Sequence, residues 1–176
     1  MPINLSATGH NAVQAITYTF QNNSSSVEKT IPLNSVPAML SEGRWEVSYY
    51  ATDINGNVEE AQTQKIQVDG TLPTVSAQIA GAESNGWYPP GTTLTLSASD
   101  PLLQDVSAGS VVGKIESSLD GGNTWEQYTG ATVFTIADAG VNTIQYRTTD
   151  LAGNQSLAQS LVIQIDAQPP ARTVSV

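Results

Sequence analysis

Few residues of this chain could carry out covalent chemistry. There is one histidine, His10, and no cysteine. A Ser–His–Asp relay would have to use His10, and no Gly-x-Ser-x-Gly turn is present to expose a nucleophilic serine. Lack of cysteine removes thiol nucleophiles, thiolate metal sites and disulfides together. Glycoside hydrolysis needs two carboxylates facing each other across a cleft. The available pairs, Asp100 with Asp105 and Glu59 with Glu60, fall on loops or on adjacent positions, away from any pocket that would tune them. The expectation is that the chain is not an enzyme. Two kinds of residue are left with recognition chemistry. Carboxylates could hold a cation. Trp45, Trp87 and Trp125 could stack on sugar rings if they share one exposed face. Packing across strands is the ordinary use of such residues and is the expectation here.

Composition narrows the partners. The chain has 176 residues and a net charge of −10, with six basic residues that form no patch. Nucleic acid and anionic membrane surfaces both call for a positive footprint, so neither is expected. No apolar run reaches the length of a membrane-spanning helix, so no membrane insertion is expected. Nothing at the N-terminus resembles a signal peptide. Charged residues make up 12%, about half the globular average of roughly 25%. Ser, Thr, Gln and Asn fill the difference, a surface common in extracellular bacterial β-proteins.

The elements that must position these residues are repeated. Gly43–Pro73 and Gly140–Pro170 align at an offset of 97, with 12 of 31 positions identical. The best-matched stretch reads "YYATDINGN" in one copy and "QYRTTDLAGN" in the other. Upstream, "INLSATG" parallels "LTLSASD", and "ITYTF" parallels "IESSL". The hydrophobic period is two. Leu94, Leu96 and Ala98 alternate with Thr and Ser, as do Ile144, Tyr146 and Thr148 with their neighbours. This is the mark of strands with one face in a core and one in water.

Turn signals fall between the strands at roughly 8–12 residue spacing, as in a sandwich or barrel. "DGGN" (Asp120–Asn123) is a tight hairpin. Asp-x-x-Gly-Asn is a connector in which the carboxylate accepts from the backbone ahead of it and glycine takes left-handed φ. "VDGTLPT" and "IDAQPPA" are stiff linkers. The expected divisions are residues 1–70, residues 71–168, and residues 169–176 as the start of a following repeat or a tail. The chain is expected to be a window on a longer array.

"NGWYPPGTTLTLSASD", "IESSLDGGNTWEQYTG" and "IQYRTTDLAGNQS", followed by a linker containing Asp and Pro, resemble bacterial immunoglobulin-like or fibronectin-III-like repeats. Such repeats occur in surface proteins and in secreted polysaccharide-degrading enzymes. The resemblance covers the whole second repeat and most of the first. It implies an all-β chain of two tandem antiparallel Ig-like sandwiches, the first lacking its strand A. It also implies a non-catalytic spacer or stalk, extracellular or on the cell surface, that positions neighbouring domains of its parent chain. The alternative is an accessory module that binds a polysaccharide or a host or cell-surface protein.

An Ig-like frame has a consequence for the carboxylates. Strands B and F run the same way, so the loops that follow them share a pole with the start of strand A. Asp100 ends strand B, Asp150 ends strand F, Asp105 lies in the B–C loop and Asp69 stands just ahead of strand A. These four are expected to meet at the interdomain junction. Like charges that close repel unless a cation separates them. Calcium, which takes six to eight oxygens, is the expected cation. The competing expectation is that each Asp caps its own turn. In the first repeat Gly9 replaces Asp100, so no equivalent site is expected there.

Overall fold

A computed structural model describes residues 6–9, 12–22, 26–32, 40–101, 111–133 and 136–172, without the side chains of 27–32, 133 and 136. His10, Asp105 and the last four residues of the expected segment 169–176 lie outside the described residues. The described chain is all-β. Its one helical element is a single 3-10 turn at Ile136–Asp138, and no described helix is long and apolar enough to cross a membrane. The antiparallel sandwich expected from the alternation is present. Contacts divide the chain into two compact units, one ending at Gly70 and one starting at Thr71.

The first unit carries a four-stranded antiparallel sheet built from β1 (Val13–Gln21), β2 (Ser26–Pro32), β3 (Gly43–Asp53) and β4 (Gln62–Val68), in the order β2-β1-β3-β4. In β1 the residues at period two, Ile16, Tyr18 and Phe20, are all buried. Trp45 and Val47 of β3 complete the same face, with Leu40. Rings pack edge to face across it, Phe20 and Trp45 at 6.4 Å between centroids. Burying each such side chain contributes roughly 1.5–3 kcal/mol. The indole N–H of Trp45 donates to the Ser41 carbonyl at 2.9 Å, so its polar atom is satisfied.

The second unit is a two-sheet sandwich. Its strands are β5 (Thr74–Ala80), β6 (Trp87–Tyr88), β7 (Thr93–Ser99), β8 (Val112–Ser118), β9 (Glu126–Gln127), β10 (Thr132–Val133), β11 (Gly140–Asp150) and β12 (Gln159–Ile165). One sheet runs β10-β7-β5 and the other β6-β12-β11-β8-β9. Leu94 and Leu96 from the first sheet meet Ile144, Tyr146, Ile163 and Ile165 from the second. The short β6 pairs parallel with β12, whereas the long strands pair antiparallel. β10 covers β7 only at Leu94 and Thr93. Past its end, the Tyr128 hydroxyl accepts from the Leu96 N–H at 3.0 Å and donates to the Leu94 carbonyl at 3.3 Å. A side chain that follows β9 of one sheet thereby completes the hydrogen bonding of β7 in the other.

Candidate functional site

The repeated Asp-x-x-Gly-Asn stretch is a closed turn in both units. Asp53 ends β3, and its Oδ1 accepts from the N–H groups of Asn55 at 2.8 Å and Asn57 at 2.9 Å. Its Oδ2 accepts from Asn57 Nδ2 at 2.8 Å. Asp150 ends β11 and takes the backbone and side-chain N–H groups of Asn154, each at 2.8 Å. Gly56 and Gly153 sit at φ 85° and 95°, a region a side chain would strain. The motif is therefore first a folding signal, as its residue types indicate.

A β-bulge stands opposite each of these aspartates. In the second unit Thr149 pairs with Lys114 and Asp150 with Val112, which leaves Gly113 as the extra residue. A Cβ on Gly113 would meet the Asp150 carbonyl oxygen at 3.1 Å and the Thr149 carbonyl oxygen at 3.2 Å. In the first unit Ala15 pairs with Thr52 and Val13 with Asp53, leaving Gln14 over. The bulge turns the end of β11, so the Asp150 side chain is buried at 4% exposure while its turn stays in solvent.

Asp100 follows the last residue of β7, and Asp69 lies in the segment between β4 and β5. A carboxylate oxygen of Asp100 and one of Asp150, both in the second unit, lie within 4.8 Å of each other. Asp69 belongs to the first unit, and Asp105 lies outside the described residues. Two carboxylates at this spacing repel in the absence of a cation. Their oxygens are the hard donors that calcium prefers, and backbone carbonyls and water would have to complete its shell.

The tryptophans have separated. Trp45 is in the first core, as described above. Trp125 lies under Arg147, whose guanidinium carbon is 3.9 Å from the ring centroid, and its indole N–H donates to the Gly122 carbonyl at 3.0 Å. Trp87 is 39% exposed on β6. The expectation of packing therefore describes Trp45 and Trp125 and not Trp87.

Sequence reasoning missed a charged cluster on the outer face of the five-stranded sheet. Glu116, nearly buried, accepts from Lys114 Nζ at 2.8 Å and from Arg147 Nε at 3.2 Å. The Lys114 hydrogen bond, supported by Arg147, holds its carboxyl below the ordinary range against the opposing effect of burial. The available signal was weak, because Glu116 and Arg147 become neighbours only through the register of β8 with β11. Asp120 is a second case. Thr124 donates to it from both side chain and backbone and Ser118 from its hydroxyl, which lowers its pKa strongly.

No protein-family model matches the chain, and no curated protein sequence matches it significantly. Among solved structures it is similar to the fibronectin(III)-like modules of Clostridium thermocellum CbhA, with a TM-score of 0.51 and 15% identity over 96% of this chain and 88% of that one. At that identity the similarity speaks to architecture, and it agrees with the alternation, the sheet order and the closed cores in assigning a fibronectin-III-like, immunoglobulin-like sandwich fold.

Proposed function

We propose that this chain is a non-catalytic spacer segment of an extracellular or cell-surface bacterial multidomain protein, whose partners are the neighbouring domains of its parent chain. The observation that carries the reading is that each unit has its own hydrophobic core, one around Tyr18 and Val47 and one around Leu94 and Ile163. Modules that close separately can be joined in series without re-folding one another. The fibronectin(III)-like architecture of the CbhA modules supports the same reading. Single-molecule pulling on the intact chain tests it. Two unfolding events, each releasing the length of one unit, are expected. One event for the whole chain would overturn the reading.

We also propose that Asp100 and Asp150 take up calcium. The favouring observation is the approach of their carboxylate oxygens to within 4.8 Å. Bound calcium would tie the end of β7 to the end of β11. Calorimetric titration with calcium after chelator treatment tests this, together with the melting temperature of wild type and Asp100→Ala. Binding heat and a calcium-dependent rise in melting temperature are expected for wild type, and neither for Asp100→Ala. Absence of heat in wild type would reject the site.

A further inference from the structure

We propose that the cleft beside Trp87 binds one pyranose unit of a neutral polysaccharide, which goes beyond a spacing role and does not depend on it.

The backbone that carries the exposed indole is held by a built turn. Ser84 N–H donates to the Trp87 carbonyl at 2.9 Å, and Trp87 N–H donates back to the Ser84 carbonyl at 3.0 Å. Asn85 and Gly86 take φ of 52° and 83° to close this turn, and the Glu83 carboxylate accepts from the Gly86 N–H. The next residue, Tyr88, packs into the core, so alternation turns Trp87 to the outer face. A backbone fixed in this way need not be ordered further when a ligand stacks on the indole.

The surroundings suit a sugar ring. Trp87 pairs with Gln164 in register, and a cleft of about 510 Å³ beside it is lined by Ala139, Gly140, Asp166 and Gln168. Ala139 and Gly140 make a low floor. Gly140 holds φ 111°, where a side chain would be strained, so the floor stays low by backbone requirement. Asp166 N–H donates to the Tyr88 carbonyl at 2.9 Å, which locks the wall of the cleft to the strand that carries the indole. Its Oδ1 accepts from Gln168 N–H at 2.9 Å, which orients the carboxylate.

A flat aromatic wall with a carboxylate acceptor and amide groups at its rim is complementary to a ring that has a C–H face and equatorial hydroxyls. The net charge of −10 disfavours an acidic glycan. A neutral chain with equatorial hydroxyls, such as a β-glucan, is therefore the class of ligand.

The test is calorimetric titration of the intact chain with cellohexaose, xylohexaose, mannohexaose and chitohexaose, repeated by indole fluorescence. At least one should bind with a dissociation constant in the millimolar range or tighter. Trp87→Ala should weaken binding at least tenfold, Asp166→Asn severalfold, and Trp87→Phe should retain part of it. The melting temperature of each variant checks that the unit remains folded. Trp125→Ala should leave binding unchanged. No binding of any of the four oligosaccharides by wild type would overturn the proposal. So would binding that folded Trp87→Ala and Asp166→Asn leave intact.

Discussion

The hydroxyl of Tyr128 takes the N–H of Leu96 at 3.0 Å and donates to the Leu94 carbonyl, and it stands where a longer β10 would have continued the sheet. Removing the hydroxyl leaves a half-buried backbone N–H without an acceptor. Tyr128→Phe should cost about 1–3 kcal/mol. Urea unfolding should show a lower midpoint with an unchanged slope. Tyr18→Phe is the contrast. Its hydroxyl is buried with no hydrogen-bond partner among the described residues, so the same substitution there should be neutral or stabilising.

Asp53 should behave as a turn residue and nothing more. Asp53→Ala removes the hydrogen bonds from the N–H groups of Asn55 and Asn57 and from Asn57 Nδ2, and should cost roughly 1–2 kcal/mol. The loss should be the same in calcium and in chelator. A loss that appears only in calcium would place a cation at this turn and contradict its description as a hydrogen-bonded connector.

Gly113 should be intolerant of a side chain although it lies in a strand. A Cβ would press on the carbonyl oxygens of Thr149 and Asp150, and backbone cannot move aside as a side-chain tip can. Gly113→Ala should cost about 1–3 kcal/mol. Thermal unfolding measures this. If Asp150 contributes to calcium uptake, the same variant should weaken it.

Glu116 should make stability depend on pH in one direction. Its folded pKa is lowered from an ordinary value of 4.5, so the folded state favours the ionised form. The stability it contributes is complete above the ordinary value and is lost as pH falls through the folded value. Wild type should therefore exceed Glu116→Gln in unfolding free energy at about pH 7, and the difference should shrink towards about pH 3. A difference that grows on acidification would contradict the Lys114–Glu116–Arg147 arrangement.

Much of the frame was legible because it depends on short-range periodicity. Leu94, Leu96, Ile144, Tyr146, Ile163 and Ile165 sit at period-two positions and form the core of the second unit. The Asp-x-x-Gly-Asn turns were legible because their hydrogen bonds close within four residues. The approach of Asp100 to Asp150 followed from strand directions once an Ig-like frame was assumed. The rest depends on register across strands. The bulges at Gln14 and Gly113 leave no pattern common to both repeats, one being a glutamine and the other a glycine. The bond from Tyr128 to β7 spans 32 positions. The three tryptophans look alike in sequence, yet one is in a core, one lies under a guanidinium and one is partly exposed beside a cleft. That separation is decided by which face of which strand each one occupies.

The parallel pairing of β6 with β12 has a mechanical consequence. β12 is the last strand of the second unit, and β6 is its second, following β5. They are joined at Trp87 with Gln164, at Tyr88 with Ile165, and by the bond from Asp166 to Tyr88. Once β5 has been stripped from β7, a pull on the two ends would slide β6 and β12 past each other along their length. The bonds between them would then bear the tension together and yield as a set, whereas a hairpin pulled open from its free end gives up its bonds one at a time. A two-residue strand that adds little to the core would on this account act as the latch of its unit under tension.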